Sequence, residues 1–87
     1  GGPVMLRHVH VFVQLKDGVL DIQGKAVANS LVSLGHDSLG SAKVGKYIQL
    51  WIEADSAAGA RKEAEKMCDD LLVNPIIEQY SIEVEGE

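Results

Sequence analysis

The sequence predicts a small α+β fold, a two-layer sandwich in which three main antiparallel strands carry two helices on one face, related to the ferredoxin-like layout. Three stretches alternate apolar and polar residues, as half-buried strands do, and two stretches between them repeat apolar residues at helical spacing. The chain has 87 residues, which suffices for one domain with a small core. We therefore expect a single domain over residues 1–87, in which residues 1–4 are a cloning remnant or are disordered.

The first strand is predicted over residues 7–15, where side chains alternate with a period of two. One face of this stretch is apolar and carries Val9, Val11, Val13 and Leu15. The other face carries His8, His10, Phe12 and Gln14. The pattern is typical of a strand that is buried on one side only.

The first helix is predicted to begin just after Asp21, because an aspartate there can accept a hydrogen bond from a free N–H of the first turn. Gly35 is well placed to end this helix. One stripe of the helix is apolar or small and comprises Leu20, Gly24, Val27, Leu31 and Leu34. Such spacing indicates an amphipathic helix.

The middle strand is predicted within residues 41–54, which alternate again. Gly45 and Lys46 interrupt the alternation, either as a bend in one long strand or as the turn of a short hairpin. Residues 41–44 are few for an independent strand, so one long, bent strand is favoured.

The second helix is predicted to begin after Asp55 as its N-cap and to end at Asn74–Pro75, because the residue before a proline avoids helical geometry. A last strand then runs from Ile76 to Val84. We expect both helices to cover the sheet face that carries the alternating aliphatic residues. The opposite face carries Phe12, Tyr47, Trp51 and His10. Exposed apolar clusters of this kind mark association surfaces, so this face is predicted to bind a partner or a second copy.

Composition excludes several classes of function. A net charge of −5 argues against binding to a nucleic-acid backbone. One cysteine excludes an internal disulfide framework. No apolar run is long enough to span a bilayer and no signal-peptide pattern is apparent, so we expect a cytoplasmic protein without membrane or nucleic-acid partners.

Candidate chemical groups do not assemble into a site at the level of sequence. His8 and His10 lie two apart on a strand and could share a metal, but a third ligand is missing because His36 lies in a distant loop. The segment 40–46 resembles a phosphate-binding loop, yet Tyr47 stands where that loop needs serine or threonine. Cys68 is predicted to be an inert, buried side chain. We therefore expect no catalytic, cofactor-binding or metal-binding residue.

Three motifs carry a resemblance to a known family. Residues 18–27 read Gly-Val-Leu-Asp-Ile-Gln-Gly-Lys-Ala-Val, residues 44–47 read Val-Gly-Lys-Tyr, and a third motif comprises Leu71, Leu72, Asn74, Pro75, Glu78 and Tyr80. In order and spacing they resemble the PurS family, subunits of phosphoribosylformylglycinamidine (FGAM) synthase. The first motif departs from the family at Ile22, where proline is usual.

The resemblance implies a PurS-like fold and a small accessory subunit, without catalytic residues of its own, of a ligase that forms a C–N bond with glutamine as amido donor. That enzyme consumes ATP in de novo purine biosynthesis. The expected partners are a second copy, in a dimer or tetramer, together with the large synthetase subunit and the glutaminase subunit, which this chain would bridge for ammonia transfer. ATP, magnesium and glutamine would be used by the partner subunits, and no cofactor would bind here. The alternative is a stand-alone ferredoxin-like domain that senses a small molecule.

An interface is the kind of site that the sequence favours. Gly45 and Lys46 lie in a motif of the family at the interruption in the middle strand, and a glycine followed by a long cation and an aromatic side chain suits contact with a partner. The predicted interface residues are Phe12, Gly45, Lys46, Tyr47, Trp51, Asn74 and Pro75.

Overall fold

The computed structural model describes residues 4–87, so residues 1–3 of the predicted remnant lie outside the described residues. Its centre is a three-stranded antiparallel sheet in the order β2-β1-β3, which confirms the predicted fold class. The strands are β1 (Met5–Leu15), β2 (Lys46–Ala54) and β3 (Glu78–Val84). The helices are α1 (Ile22–Ser33) and α2 (Ala57–Met67), and a π-helical turn (Cys68–Leu72) continues α2.

The core lies on one face of the sheet, as the alternation predicts. Val9 and Val11 on β1 are fully buried because β1 is paired on both sides and covered from above. The core consists of Val9, Val11, Val13, Ile52, Ala60, Ala64, Cys68, Val73, Ile82 and Val84.

α2 covers this core. Ala60 and Ala64 are fully buried against the sheet, since their small side chains allow the helix to approach it closely. Cys68 continues the same line into the π-helical turn and is also fully buried. The N-cap is Ser56 rather than the predicted Asp55, because the Ser56 hydroxyl accepts a hydrogen bond from the Gly59 N–H at 3.0 Å.

α1 does not lie on the sheet, so the expectation of two helices on one face is wrong for this helix. Within residues 4–87, no Cα atom of α1 comes within 8 Å of a strand or of α2. The radius of gyration is 17.0 Å, whereas about 12 Å is expected for a compact chain of this length. Several large apolar residues of this region stay exposed, namely Leu20, Ile22, Val27, Val32 and Leu34. The periodicity of α1 was predicted correctly, but no strand and no other helix within residues 4–87 packs against its apolar residues.

The middle strand is shorter than predicted. β2 begins only at Lys46, whose Cα partner is Val13 on β1, and residues 41–45 form no strand. The residues before Gly45 lie off the sheet, next to the start of α1, where the Val44 N–H donates a hydrogen bond to the Asp21 side chain. β3 likewise begins at Glu78 rather than at Ile76, since residues 74–77 form a turn.

Neither described helix is long and apolar enough to cross a membrane.

Candidate functional site

The three motifs singled out in the sequence meet at one end of the sheet. We call this region the motif junction and define it by Asp21, Val44, Gly45, Lys46, Asn74 and Glu78. The first motif contributes one of these residues, the second three and the third two, and hydrogen bonds and an ion pair join the motifs.

Asp21 links the first motif to the second. Its Oδ1 accepts from the Gly24 N–H at 2.7 Å, which caps α1 as predicted. Its Oδ2 accepts from the Val44 N–H at 2.9 Å, a contact that the sequence did not indicate. The Val44 N–H and then the Gly24 N–H lower the pKa of Asp21, because both bonds favour the charged carboxylate.

Two glycines allow the backbones of the junction to approach one another. A Cβ atom at Gly24 would lie 2.5 Å from the Ala42 carbonyl oxygen. A Cβ atom at Gly45 would lie 2.5 Å from the Val13 carbonyl oxygen. Gly45 is not among the positive-φ glycines of the described chain, so close approach rather than a left-handed conformation explains this glycine.

Lys46 links the second motif to the third. Its Nζ lies 3.4 Å from Glu78 Oε2, and Glu78 Oε1 accepts from the Asn74 N–H at 2.7 Å. The pKa of Glu78 is lowered, first by the Asn74 N–H and then by Lys46. Pro75 joins the same end of the sheet, because its carbonyl accepts a hydrogen bond from the Lys16 ammonium group. Lys46 therefore has a partner within the chain, although its side chain remains 57% exposed.

A shallow cleft of about 420 Å³ opens at the junction, between residues 12–19 of β1 and its following turn and residues 43–47. Its charged groups belong to lysine and aspartate: Lys16, Asp17, Asp21, Lys43 and Lys46. The lining described by the structure contains no serine, cysteine or histidine, and its polar side chains belong to lysine, aspartate, glutamine and tyrosine.

The remaining predicted interface residues lie on the uncovered face of the sheet, which we call the aromatic face and define by Phe12, Tyr47 and Trp51. The rings of Phe12 and Tyr47 stack with centroids 5.1 Å apart. Trp51 is 58% exposed and stacks on His8 with centroids 4.6 Å apart. The structure therefore brings these three residues to one surface, as predicted.

The seven predicted interface residues nevertheless do not form one surface. Lys46 and Tyr47 are neighbours on a strand, so their side chains point to opposite faces of the sheet. Lys46 joins Asn74 and Pro75 at the junction, whereas Tyr47 joins the aromatic face. That Lys46 and Tyr47 face opposite sides could have been predicted from strand alternation. The contacts of Asp21 with Val44 and of Lys46 with Glu78 could not, because they depend on how the strands and loops are arranged in the fold.

Comparison with known proteins identifies the family. A family model described as PurS, phosphoribosylformylglycinamidine (FGAM) synthase, matches residues 8–86. The PurS subunits of this synthase from Synechocystis sp. and Bacillus subtilis are each 42% identical over 77 residues. Each match covers 88% of this chain, with 77% of the Synechocystis protein and 90% of the Bacillus subtilis protein.

Solved structures agree with the sequence matches. Methanocaldococcus jannaschii PurS, a subunit of formylglycinamide ribonucleotide amidotransferase in the purine biosynthetic pathway, matches with a TM-score of 0.84 and 33% identity over 91% of this chain and 95% of that chain. A chain in the structure of Thermotoga maritima PurLQS matches with a TM-score of 0.85 and 29% identity, covering 92% of this chain and 98% of that chain. A model match over nearly the whole length, close relatives and a shared fold lead to one conclusion: the chain belongs to the PurS family of phosphoribosylformylglycinamidine synthase subunits.

Proposed function

We propose that this chain is a non-catalytic bridge that holds the synthetase and glutaminase subunits of FGAM synthase in a fixed relative position for ammonia transfer. Membership of the family makes the chain a subunit of that synthase in purine biosynthesis. The bridging role is a more specific proposal than membership of the synthase. Its physical reason is that ammonia released at one site reaches a second site efficiently only when the distance and orientation between the two sites are fixed.

The observation that carries the proposal is the amount of apolar surface that the chain leaves without a partner of its own. α1 makes no contact with the sheet or with α2, and the aromatic face has no covering layer within residues 4–87. Surfaces of this kind are typical of proteins that complete their packing by association. A small domain also gains stability by oligomerisation.

A second copy of the chain is the first partner that we propose. α1 extends away from the sheet, and the molecule measures 56 × 26 × 15 Å along its principal axes. A helix with an unpacked apolar stripe in a small domain favours docking on another molecule over exposure to water. In this proposal a dimer or tetramer buries α1, and the assembled oligomer presents further surface to the two large subunits.

The remaining parts of the proposal concern chemistry and location. The cleft at the motif junction has no serine, cysteine or histidine in its described lining, which supports assigning ATP, magnesium and glutamine to the partner subunits. A purine-biosynthetic subunit of this kind is proposed to act in the cytoplasm. The alternative of a stand-alone small-molecule sensor is not favoured, because the matched relatives are all described as PurS subunits.

Reconstitution tests the bridging role. FGAM formation is measured with the synthetase and glutaminase subunits of the same organism, with and without this chain, using either glutamine or ammonium chloride as nitrogen source. We expect glutamine-driven formation to require this chain and ammonium-driven formation to proceed without it, because free ammonium needs no transfer between sites. Equal glutamine-driven rates with and without the chain would refute the bridging role.

A binding control separates bridging from sensing. A sensor is stabilised by its ligand alone, because binding to the folded state raises the unfolding free energy by RT ln(1 + [L]/Kd). We expect the melting temperature of the isolated chain to stay constant with glutamine, ATP or other nucleotides and to rise only with the partner subunits. A rise with one of these small molecules alone would favour the sensor.

A further inference from the structure

Three side chains with metal-binding atoms meet on the uncovered side of the sheet, away from the motif junction. His8 and His10 project from β1, and Glu85 follows directly after β3. Glu85 Oε1 lies 3.1 Å from His8 Nδ1 and 3.1 Å from His10 Nε2. One ligand atom from each residue lies within 4.8 Å of the other two. The Glu85 N–H donates to the His8 carbonyl at 3.0 Å, which holds the carboxylate beside the two rings.

Each imidazole directs one nitrogen at Glu85 and the other at a neighbouring side chain. His8 Nε2 lies 2.8 Å from Gln49 Oε1, and His10 Nδ1 is hydrogen-bonded to the Tyr47 hydroxyl. In the tautomers that donate from His8 Nε2 and His10 Nδ1, the lone pairs of His8 Nδ1 and His10 Nε2 point at the Glu85 carboxylate; in the other tautomers these two nitrogens donate to it. Metal-ligating histidines normally have a hydrogen-bond partner of this kind on the ring nitrogen that does not bind the metal.

In the tautomers whose lone pairs face the carboxylate, one cation between the three side chains can bind all of them. Zn²⁺ binds histidine nitrogen and carboxylate oxygen at about 2.0–2.2 Å, so adjacent ligand atoms in a tetrahedral site are about 3.3–3.5 Å apart. The two N···O separations of 3.1 Å are already close to this spacing.

The surroundings also favour a built site over a chance cluster. The His8 and His10 side chains are only 21% and 18% exposed. Trp51 stacks on the His8 ring with an interplanar angle of 8°, which limits its rotation. Tyr47 stacks on the His10 ring with an angle of 10°. Rings that are held in this way lose little freedom when a metal binds.

We propose that His8, His10 and Glu85 form a binding site for a divalent transition metal of the zinc type, with at least one coordination position open to water. Two imidazoles and one carboxylate select Zn²⁺, Co²⁺ or Ni²⁺ over Mg²⁺ and Ca²⁺, which prefer oxygen ligands alone. The sequence showed only the two histidines, because Glu85 is separated from them by most of the chain and reaches them through β1–β3 pairing. The proposal does not depend on the bridging role.

Titration of the tag-free, full-length chain with Co²⁺ tests this site. We expect saturable binding of one Co²⁺ per chain with visible d–d absorption, and displacement of Co²⁺ by Zn²⁺ but not by Mg²⁺. Gln49 contacts a ligand rather than the metal, so Gln49→Leu should weaken Zn²⁺ binding by roughly 10-fold. His10→Gln and Glu85→Gln each remove a ligand and should weaken Zn²⁺ binding by more than that.

Matched variants control for general effects of charge and histidine content. Glu63→Gln removes a carboxylate from α2, and His36→Gln removes a histidine from a loop, so both should bind Zn²⁺ as the unchanged chain does. Circular dichroism establishes that each variant is folded. The proposal is overturned if no saturable binding occurs, or if His10→Gln and Glu85→Gln bind Zn²⁺ with unchanged affinity. In either case the three residues are a hydrogen-bonded cluster without a bound metal.

Discussion

The two helices of this protein have similar apolar periodicity and opposite environments. α2 presents alanines to the sheet, and Ala60 and Ala64 are fully buried. α1 carries larger apolar residues, including Val27 and Leu31, yet its only buried residue is Gly24. The helix with the smaller side chains packs into the core, while the helix with the larger ones stays exposed.

Helical periodicity therefore predicts that one face of a helix is apolar, but it does not predict what that face packs against. Small side chains suit α2 because a three-stranded sheet leaves room for one closely packed helix. α1 is held instead at its first turn, where Asp21 bonds to both Gly24 and Val44. Five experiments test this contrast.

The largest effect is expected in the α2 core. Ala64→Leu inserts three heavy atoms where no space remains, and overpacking of a core costs about 1–3 kcal/mol. Ala58→Leu on the exposed side of the same helix is the control and should stay within about 0.5 kcal/mol. Urea unfolding measures both, and equal stabilities would show that α2 is not the packed helix.

The next effect concerns assembly through α1. Val27→Glu places a charge in the apolar stripe, so it should weaken self-association by at least about tenfold, since burying an unpaired charge costs several kcal/mol. Asn29→Glu lies on the opposite side of α1 and adds the same charge, so it should leave association unchanged. Analytical ultracentrifugation decides between them. A stable monomer of the unsubstituted chain at micromolar concentration would contradict the proposed dimer.

Trp51→Glu tests the aromatic face in the same way. We expect weaker assembly, with itself or with the large subunits, because the indole that now stacks on His8 would be replaced by a charge. Glu53→Gln on the same face changes charge without removing an aromatic ring and serves as the control. If Trp51→Glu assembles normally while Val27→Glu does not, α1 alone carries the contact.

A smaller effect, with opposite signs in the two helices, is expected at their first-turn glycines. Gly→Ala inside a helix ordinarily stabilises by about 1 kcal/mol. At Gly24 the new Cβ would lie 2.5 Å from the Ala42 carbonyl, so Gly24→Ala should destabilise. At Gly59 the nearest atom is the Ser56 hydroxyl at 3.2 Å, so Gly59→Ala should be neutral or stabilising. Thermal melting measures both, and a Gly24→Ala variant as stable as the unchanged chain or more stable would refute the close contact at Gly24.

The smallest effect is a dependence on acid at the Asp21 link. The folded-state pKa of Asp21 is lowered from its ordinary value of 3.8, so its contribution is present above that value and is lost as pH falls through the folded pKa. Below about pH 4 the Val44 N–H should lose protection from hydrogen exchange. In Asp21→Asn the protection of Val44 should no longer vary with pH over this range. Unchanged acid dependence in that variant would show that another group holds the loop.

The sequence predicted the elements better than their arrangement. Alternation placed Val9, Val11 and Val13 in the core, and side-chain chemistry identified Asp21 as an N-cap. The position of α1 could not be predicted, because a stripe of apolar residues does not indicate which surface the helix packs against. The start of β2 at Lys46 was not predicted for a related reason. The Val44 N–H donates to the Asp21 carboxylate, a contact between residues that are distant in sequence and close only in the folded chain.

The interface residues show the same limit. Phe12, Tyr47 and Trp51 could be grouped from alternation alone, and the structure groups them. Lys46 was predicted to face a partner, but its ion pair with Glu78 depends on which strands flank β1. Whether these residues contact a partner stays a prediction.

The buried position of Cys68 has a practical consequence for experiments. It is the single thiol of the chain and is fully buried in the π-helical turn that continues α2. Burial raises the pKa of that thiol, so the reactive thiolate is scarce while the helix is docked. The rate at which a maleimide alkylates Cys68 therefore measures how often α2 transiently detaches from the sheet. No label has to be added, because the native thiol reports on the more tightly packed of the two helices.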